Sequence, residues 1–399
     1  MAETHGPQWT RLVGEYVFPP MEKVVYGKPA AAAVVEEADR LRRERVFLVV
    51  SNTLNRTTDE IAAIRRALGE RYVGLYDRVP PHTTRISVIE AADAARQAGA
   101  DLIVAIGGGS VVDAGKAMLV CLEQDITDPA AMDDLVTRIG PDGKPLRPQI
   151  TAPSTPLVVV PSTLSGGEYN AGTLVTDSQR KLKQILFHPL MMPKSILLDP
   201  RLTLHTPALI WFGSGLRAMD HGIEALCSLK GTPLTDGAVL HGIRLLREGL
   251  LETKTNAGDL DARAKCMTGS WLAAFGLQAR VPMGASHAIG HILGGTCDVP
   301  HYFCTPVMMP SVLRFNRPAT DVAQARLADA LGQPGADAAD VFAELVVALG
   351  LPRSLRDVGV GANRFPLIAE IAMKHIFTTT NPRPIRSPDD VVQILALAA

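Results

Sequence analysis

Between Ser286 and His301 the chain reads Ser-His-Ala-Ile-Gly-His-Ile-Leu-Gly-Gly-Thr-Cys-Asp-Val-Pro-His, which places His287, His291 and His301, three of ten histidines, close together. His287 and His291 are four apart, so a helix carries both on one face. Gly294-Gly295 offers that helix an end, and Pro300 turns the chain so that His301 can return towards the same face. Such a trio can bind a divalent metal, relay protons, or sit hydrogen-bonded in a core. A further histidine in Asp220-His221 favours a site.

A second constellation lies upstream. The apolar run Leu102–Ile106 opens into Gly107-Gly108-Gly109-Ser110, and helical spacing follows through Asp113 and Lys116 to Val120. Three glycines let the backbone approach a phosphate closely, and the helix start offers free N–H groups and a positive dipole end. The pattern is neither Gly-x-Gly-x-x-Gly nor a P-loop. Strand, glycine triplet, serine and helix in that order point to diphosphate binding, with a plain βα turn as the alternative. The run Leu157–Val160 likewise leads into Pro161-Ser162-Thr163-Leu164-Ser165-Gly166-Gly167-Glu168, a turn dense in hydroxyls and free amides. At the carboxyl end of a parallel strand it is a natural second contact for phosphate or nicotinamide.

The elements that must position these residues alternate. Residues 14–18 read as a short edge strand, 30–43 as a helix, and Val46–Val50 as a strand buried on both faces. Helical spacing over 58–68, a strand at Tyr72–Tyr76, a helix over 87–99 and the strand Leu102–Ile106 continue the rhythm of βαβ units and a parallel sheet. Residues 122–155 are acidic and rich in Pro and Gly, an excursion before the Leu157–Val160 strand. Residues 173–177 and 194–198 read as further strands. Past Pro200 helical segments dominate. The fold class expected is α/β: an N-terminal Rossmann-like parallel-sheet domain over 1–200, then an all-helical substrate domain over 201–399, with the site in the cleft between them.

Composition sets limits. A chain of 399 residues with 47% hydrophobic and 20% charged content suits a soluble two-domain enzyme. A net charge of −1 gives no electrostatic footprint for nucleic acid or an anionic membrane. No apolar run reaches the length of a membrane span, and the start at Met1 has no signal-peptide pattern. Five cysteines without CxxC spacing suit a reducing cytoplasm and argue against a thiolate zinc site.

Taken together, Gly107-Gly108-Gly109-Ser110-x-x-Asp113-x-x-Lys116, Pro161-Ser162-Thr163, Asp199-Pro200, Gly215-Leu216-Arg217-Ala218-x-x-His221, His287-x-x-x-His291, Pro300-His301 and Asn381-Pro382-Arg383-Pro384 resemble the iron-containing (group III) alcohol dehydrogenases. The agreement spans nearly the whole chain. Ile292–His301 and the 161–168 loop look most like the maleylacetate reductase branch, which has the dehydroquinate synthase-like fold. The resemblance implies NAD or NADP as cofactor, a small-molecule substrate and a homodimer in the cytoplasm. It places Gly107, Gly108, Gly109, Ser110, Asp113 and Lys116 at the pyrophosphate, Ser162 and Thr163 on the nicotinamide side, and Lys183 near the ribose. Ser51 stands where many NAD-specific relatives have an Asp that repels the 2′-phosphate of NADP, so both cofactors are expected to be accepted.

The departures are informative. Metal-dependent members carry an Asp in Gly-x-Asp-Ala-x-x-His; here that position is Arg217, while His221, His287 and His301 keep the remaining ligand positions. Three imidazoles can still hold zinc or iron. Arg217 sits four residues before His221, though, and a fixed cation on the ligand face opposes a dication. Asp220, a neighbour of His221, is expected to point about 100° away. The expected activity is therefore a reductase without a catalytic metal, passing hydride to a carbonyl or double bond of a small carboxylated or aromatic-derived compound. Arg217 stabilises charge or clamps a carboxylate, and His291, beside His287 or His301, donates a proton in the neutral range. The alternatives are a metal-dependent alcohol dehydrogenase using His221, His287 and His301, a lyase of the dehydroquinate synthase type, and a nucleotide-binding protein without turnover.

Overall fold

The computed structural model describes residues 16–140 and 145–399. The chain forms two compact units, Pro19–Pro207 and Ala208–Ala399, and residues 16–18 go with the second.

The first unit is built on a six-stranded parallel sheet in the order Lys23–Tyr26, Ser195–Leu198, Leu157–Pro161, Leu102–Gly107, Val46–Val50, Tyr72–Tyr76. Its three middle strands are apolar and buried at every position, as strands covered on both faces must be. Alternate side chains serve opposite cores. Phe47 and Val49 join the cluster beneath the helices Arg85–Gln97 and Gly109–Glu123. Val46, Leu48 and Val50 join the one beneath Ala30–Leu41 and Glu60–Leu68. From Val46–Val50 the chain first steps outward to Tyr72–Tyr76, then crosses back to Leu102–Gly107 on the other side. That reversal opens a crevice at the carboxyl ends of the two strands, which is where open α/β sheets bind ligands. An antiparallel hairpin, Gly172–Asp177 with Leu182–Phe187, follows the 162–171 loop.

The second unit is helical. Ala208–Cys227 is buried at every residue from Trp211 onward, so it is the helix the others surround. Pro233–Thr255 and Leu260–Ala273 approach each other through glycines: a Cβ at Gly242 would stand 2.5 Å from Ala273 N and 2.8 Å from Gly269 O. Among the described residues no helix is long and apolar enough to cross a membrane.

Three expectations change. Of the edge strand at 14–18, residues 14 and 15 lie outside the described residues and 16–18 form no strand; the edge is Lys23–Tyr26. The strand Leu182–Phe187 escaped the sequence reading, because the adjacent polar residues Lys183 and Gln184 fall on opposite faces and break the alternation. The helix carrying His287 runs through Gly294-Gly295 to Thr296, and the stop comes from Asp298, with φ of 57°, and Val299 N–H bonding to Leu293 O.

The glycine contact between Pro233–Thr255 and Leu260–Ala273 is testable. Gly242→Val forces side-chain atoms against backbone that cannot move aside. A loss of about 1–3 kcal/mol is expected, read as a lower urea midpoint with an unchanged m-value; an unaltered midpoint contradicts the packing described.

Candidate active site

The glycine turn is crowded on every side. A Cβ would stand 2.9 Å from Val111 Cγ2 and 3.2 Å from Ser51 Cβ at Gly107, 3.2 Å from Thr163 Cγ2 at Gly108, and 3.2 Å from Ser165 Oγ at Gly109. The turns after three strands therefore meet at the triplet, tied by Ser51 N–H to Ile106 O and Ser162 N–H to Gly107 O, each 2.9 Å. Ser110 lies in the first turn of the following helix, and its carbonyl accepts the Thr83 hydroxyl at 2.9 Å. The buried hydroxyls of Thr163 and Ser165 have no hydrogen-bond partner among the described residues. Leaving such a group unbonded costs about 1–3 kcal/mol, so both suit a polar ligand in this turn. Ser165 was not singled out from sequence.

Lys116 and Asp113 are placed elsewhere than expected. Lys116 is fully buried and donates to Gly167 O and, at 2.9 Å, to Gly172 O. Asp113 accepts from Thr173 Oγ1 at 2.8 Å. Both tie the helix to the 167–173 loop instead of reaching the glycine turn, because they lie on the helix face that this loop covers. Burial pushes Lys116 down to about 8 against the pull of Asp113 and Glu168, and pushes Glu168 up to about 7. Lys183, opposite Thr176 in the hairpin, is near enough to Asp113 to oppose the rise that burial gives that carboxyl.

In the helical unit, Arg217, Asp220, His221 and Glu224 all lie on Ala208–Cys227, and all are buried. Offsets of three, four and seven make one stripe. The expectation that Asp220 turns away is thus corrected: 220 and 221 straddle the stripe, and both face the site. Asp220 Oδ2 accepts Arg217 Nη1 at 3.0 Å, Ser286 Oγ at 2.8 Å and Thr305 Oγ1 at 2.6 Å. Glu224 Oε2 accepts His287 Nδ1 at 2.7 Å and Gly284 N–H at 2.9 Å, and its Oε1 accepts Ser286 N–H at 2.8 Å. Asn381 Oδ1 takes Ala285 N–H at 3.1 Å. Glu224 and Asn381 together satisfy the first amides of Ala285–Thr296, where a carboxylate also meets the positive helix end.

Five histidine rings form a cluster that branches at His291. Centroids are 4.8 Å apart for His221 and His287, 6.2 Å for His287 and His291, 5.9 Å for His291 and His301, and 5.3 Å for His291 and His375. Phe377 stands 5.9 Å from His291 and 5.3 Å from His375. His375 and Phe377 were missed in the sequence, where no spacing connects them to the other rings. Arg217 Nη1 lies near Gly290, 4.0 Å from where its Cβ would be.

These charges set protonation. Burial alone would raise Asp220, but His287 and Arg217 hold its carboxyl below the usual range. Burial and Arg217 push His287 down, and Asp220 and Glu224 outweigh them to leave it raised. Burial, then His287 and Arg217, drive His221 well down. His291 is driven well below its ordinary value by burial, His375 and Arg217, so it is neutral at pH 7 and does not titrate in the neutral range as expected.

One ligand atom each from Asp220, Glu224 and His287 fall within 4.8 Å of one another. The 2.7 Å contact of Glu224 with His287 is a hydrogen bond, whereas two ligands on a tetrahedral ion with bonds near 2.0–2.2 Å stand about 3.3 Å or more apart. Each carboxylate is also committed, one to Arg217 and the other to helix amides. His287 Nε2 and His221 Nδ1 are buried without a hydrogen-bond partner among the described residues.

The buried pair predicts a pH window. Asp220 is depressed, so its contribution is complete above about pH 4 and lost as pH falls through its folded value; His287 is raised, so its share is complete below about pH 6.5 and lost as pH rises through its folded value. Asp220→Asn is expected to cost about 3–5 kcal/mol between those limits, with a smaller gap at about pH 3 and pH 9. Urea midpoints across this range check it, and a constant gap contradicts it.

Comparison with known proteins agrees with this layout. Residues 20–200 match the family described as iron-containing alcohol dehydrogenase, and residues 212–399 match the Fe-containing alcohol dehydrogenase family, C-terminal. The chain is 33% identical to "Dehydrogenase FUM7" of Gibberella moniliformis, covering 94% of this chain and 96% of that protein. It is 30% identical to a maleylacetate reductase of Burkholderia cepacia, covering 94% of each. The crystal structure of maleylacetate reductase from Agrobacterium tumefaciens superposes with a TM-score of 0.80 at 27% identity, over 97% of this chain and 98% of that one. The chain belongs to the iron-containing alcohol dehydrogenase family and is a maleylacetate reductase-like oxidoreductase.

Proposed function

We propose that this oxidoreductase uses NADH or NADPH to reduce a carbonyl or conjugated double bond in a small carboxylated compound, with the Arg217 guanidinium where metal-dependent relatives place a ligand acid. The observation that carries this reading is the Arg217–Asp220 ion pair, 3.0 Å long and buried among the histidines. A cation at that position, already neutralised by its own carboxylate, is a poor neighbour for a dication. The nicotinamide, when bound, supplies the hydride. As the substrate oxygen gains charge, the guanidinium offers it a fixed donor in a water-poor setting. Neutral His291, partly exposed, meets the oxygen with an N–H, and His287 is held by Glu224 in one orientation beside it. The maleylacetate named for the relatives is a carboxylated compound, which suits a guanidinium at the site.

A metal-dependent alcohol dehydrogenase is the second reading. It is favoured by His287, whose Nδ1 is held by a carboxylate and whose Nε2 is left over, as in a metal-bound imidazole. Chelator dialysis with elemental analysis separates the two. The metal-free reading expects full activity with less than about one metal per ten chains, against a stoichiometry near one for an occupied site. Stoichiometric zinc or iron, with activity lost on chelation and restored by the metal, overturns it. Oxidation of NAD(P)H with a panel of keto acids and enones, maleylacetate included, tests turnover itself.

Arg217→Ala should slow the reaction by roughly a hundred- to a thousand-fold if the guanidinium stabilises developing charge. A loss confined to KM would instead mark it as a uniform carboxylate clamp. Ser51, packed against Gly107, is neutral where an acid would repel a 2′-phosphate. Comparable kinetics with NADH and NADPH are expected, and Ser51→Asp should impair NADPH selectively; rejection of NADPH by the parent protein contradicts this assignment.

A further inference from the structure

His375 is 84 positions from His291 in sequence, yet its Nε2 lies 3.2 Å from His291 Nδ1. Its other nitrogen, Nδ1, accepts the backbone N–H of Phe377 at 3.2 Å, capping the short helix Ile376–Thr379. An imidazole nitrogen that accepts an N–H bond carries no proton. The proton of His375 therefore sits on Nε2, which can only donate, and the atom it faces is His291 Nδ1. That nitrogen must in turn be the bare one, so His291 carries its proton on Nε2. A single backbone N–H thus fixes two tautomers in series. It also bars the doubly protonated form of His291, because a proton on its Nδ1 would face the proton on His375 Nε2.

We propose that His375 is a positioning residue for the reduction: through its Nε2–H it holds His291 as the neutral tautomer whose Nε2–H faces the substrate. A site set this way selects for a hydrogen-bond acceptor, a carbonyl or carboxylate oxygen, at the point His291 touches. The arrangement belongs to the helical unit alone, and burial of His375, which lowers it to about 4 with His287 contributing, agrees with a ring kept neutral. The proposal rests on the reading of His291 as the group that meets the substrate oxygen.

Two variants divide the functions of His375. His375→Asn keeps a side-chain oxygen to cap Phe377 N–H but is too short to reach His291. His375→Gln places an amide N–H near the lost Nε2–H. With 15N-histidine labelling, two-bond 1H–15N correlation spectra report the tautomer of His291, its signals assigned by their absence in His291→Gln. The parent and His375→Gln are expected to show a protonated Nε2 and a bare Nδ1, and His375→Asn a mixture. With maleylacetate or the fastest compound of the panel, kcat of His375→Asn should fall by about tenfold or more with KM nearly unchanged, and His375→Gln should recover to within about threefold of the parent. An unchanged tautomer in His375→Asn, an unchanged kcat, or failure of His375→Gln to recover overturns the proposal. Full turnover in His291→Gln sinks the reading of His291 and this proposal with it. Impaired His291→Gln beside fully active His375→Asn sinks this proposal alone.

Discussion

A guanidinium at 4% exposure organises the helical unit. A charge removed from water must be paired and hydrogen-bonded or its burial costs several kcal/mol. Arg217 finds its partner three residues along its own helix, and Asp220 completes its coordination with hydroxyls from two further helices, Ser286 and Thr305. One ion pair on Ala208–Cys227 thereby fixes the starts of Ala285–Thr296 and His301–Ala330. With one oxygen of Asp220 taken up in this way, His287 needs an acceptor of its own. Glu224 provides it, and the same carboxylate closes the amides at the head of the His287 helix. Arg217, Asp220 and Glu224 act as one line of charge along one face.

Much of this was legible in the sequence where local pattern and tertiary need coincide. Val46–Val50, Leu102–Ile106 and the Gly107 turn read directly, because a doubly covered strand has to be apolar throughout and its turn has to admit close backbone approach. The spacing of His287 and His291 likewise predicted their shared face. The rest failed for identifiable reasons. Asp220 was misjudged because a buried stripe is wide enough to include neighbours about 100° apart. Lys116 was assigned to the pyrophosphate from the family resemblance, but Gly167 and Gly172 fold over it and take its donors. His375 and Phe377 carry no local signal, since only the path of the C-terminal segment brings them to His291.

The two units solve the problem of unbonded polar atoms differently. Around the glycine triplet, crowded contacts leave the Thr163 and Ser165 hydroxyls without partners among the described residues, an arrangement that favours an incoming polar ligand. Around Arg217 the carboxylates of Asp220 and Glu224 are already answered within the protein, by the guanidinium, two hydroxyls, His287 and helix amides, although His287 Nε2 and His221 Nδ1 find no partner among the described residues. A region of the first kind gains by binding. One of the second kind holds its geometry before anything binds, which is what a site needs if its electrostatics are to act without reorganising.

The departure from the family pattern at position 217 rests on its neighbour at 220. In Gly-x-Asp-Ala-x-x-His the acid stands at the position of Arg217, and an unspecified position corresponds to Asp220. Here the first is a cation, and Asp220 supplies the carboxylate that pairs with it. The two positions depend on each other. Arginine without Asp220 is a buried, unpaired cation, and Asp220 beside an acid at 217 sets two carboxylates on one buried stripe, where like charges disfavour each other's ionisation. The pair also settles what the histidines can do. His287 is bonded to Glu224 and drawn towards Asp220, and Arg217 helps to keep His221 and His291 neutral. Restoring the metal-type arrangement therefore requires both positions to change together, with an acid at 217 and an uncharged residue at 220. In that background Glu224 can still orient His287, while Ser286 and Thr305 lose the carboxylate that anchors the heads of their helices.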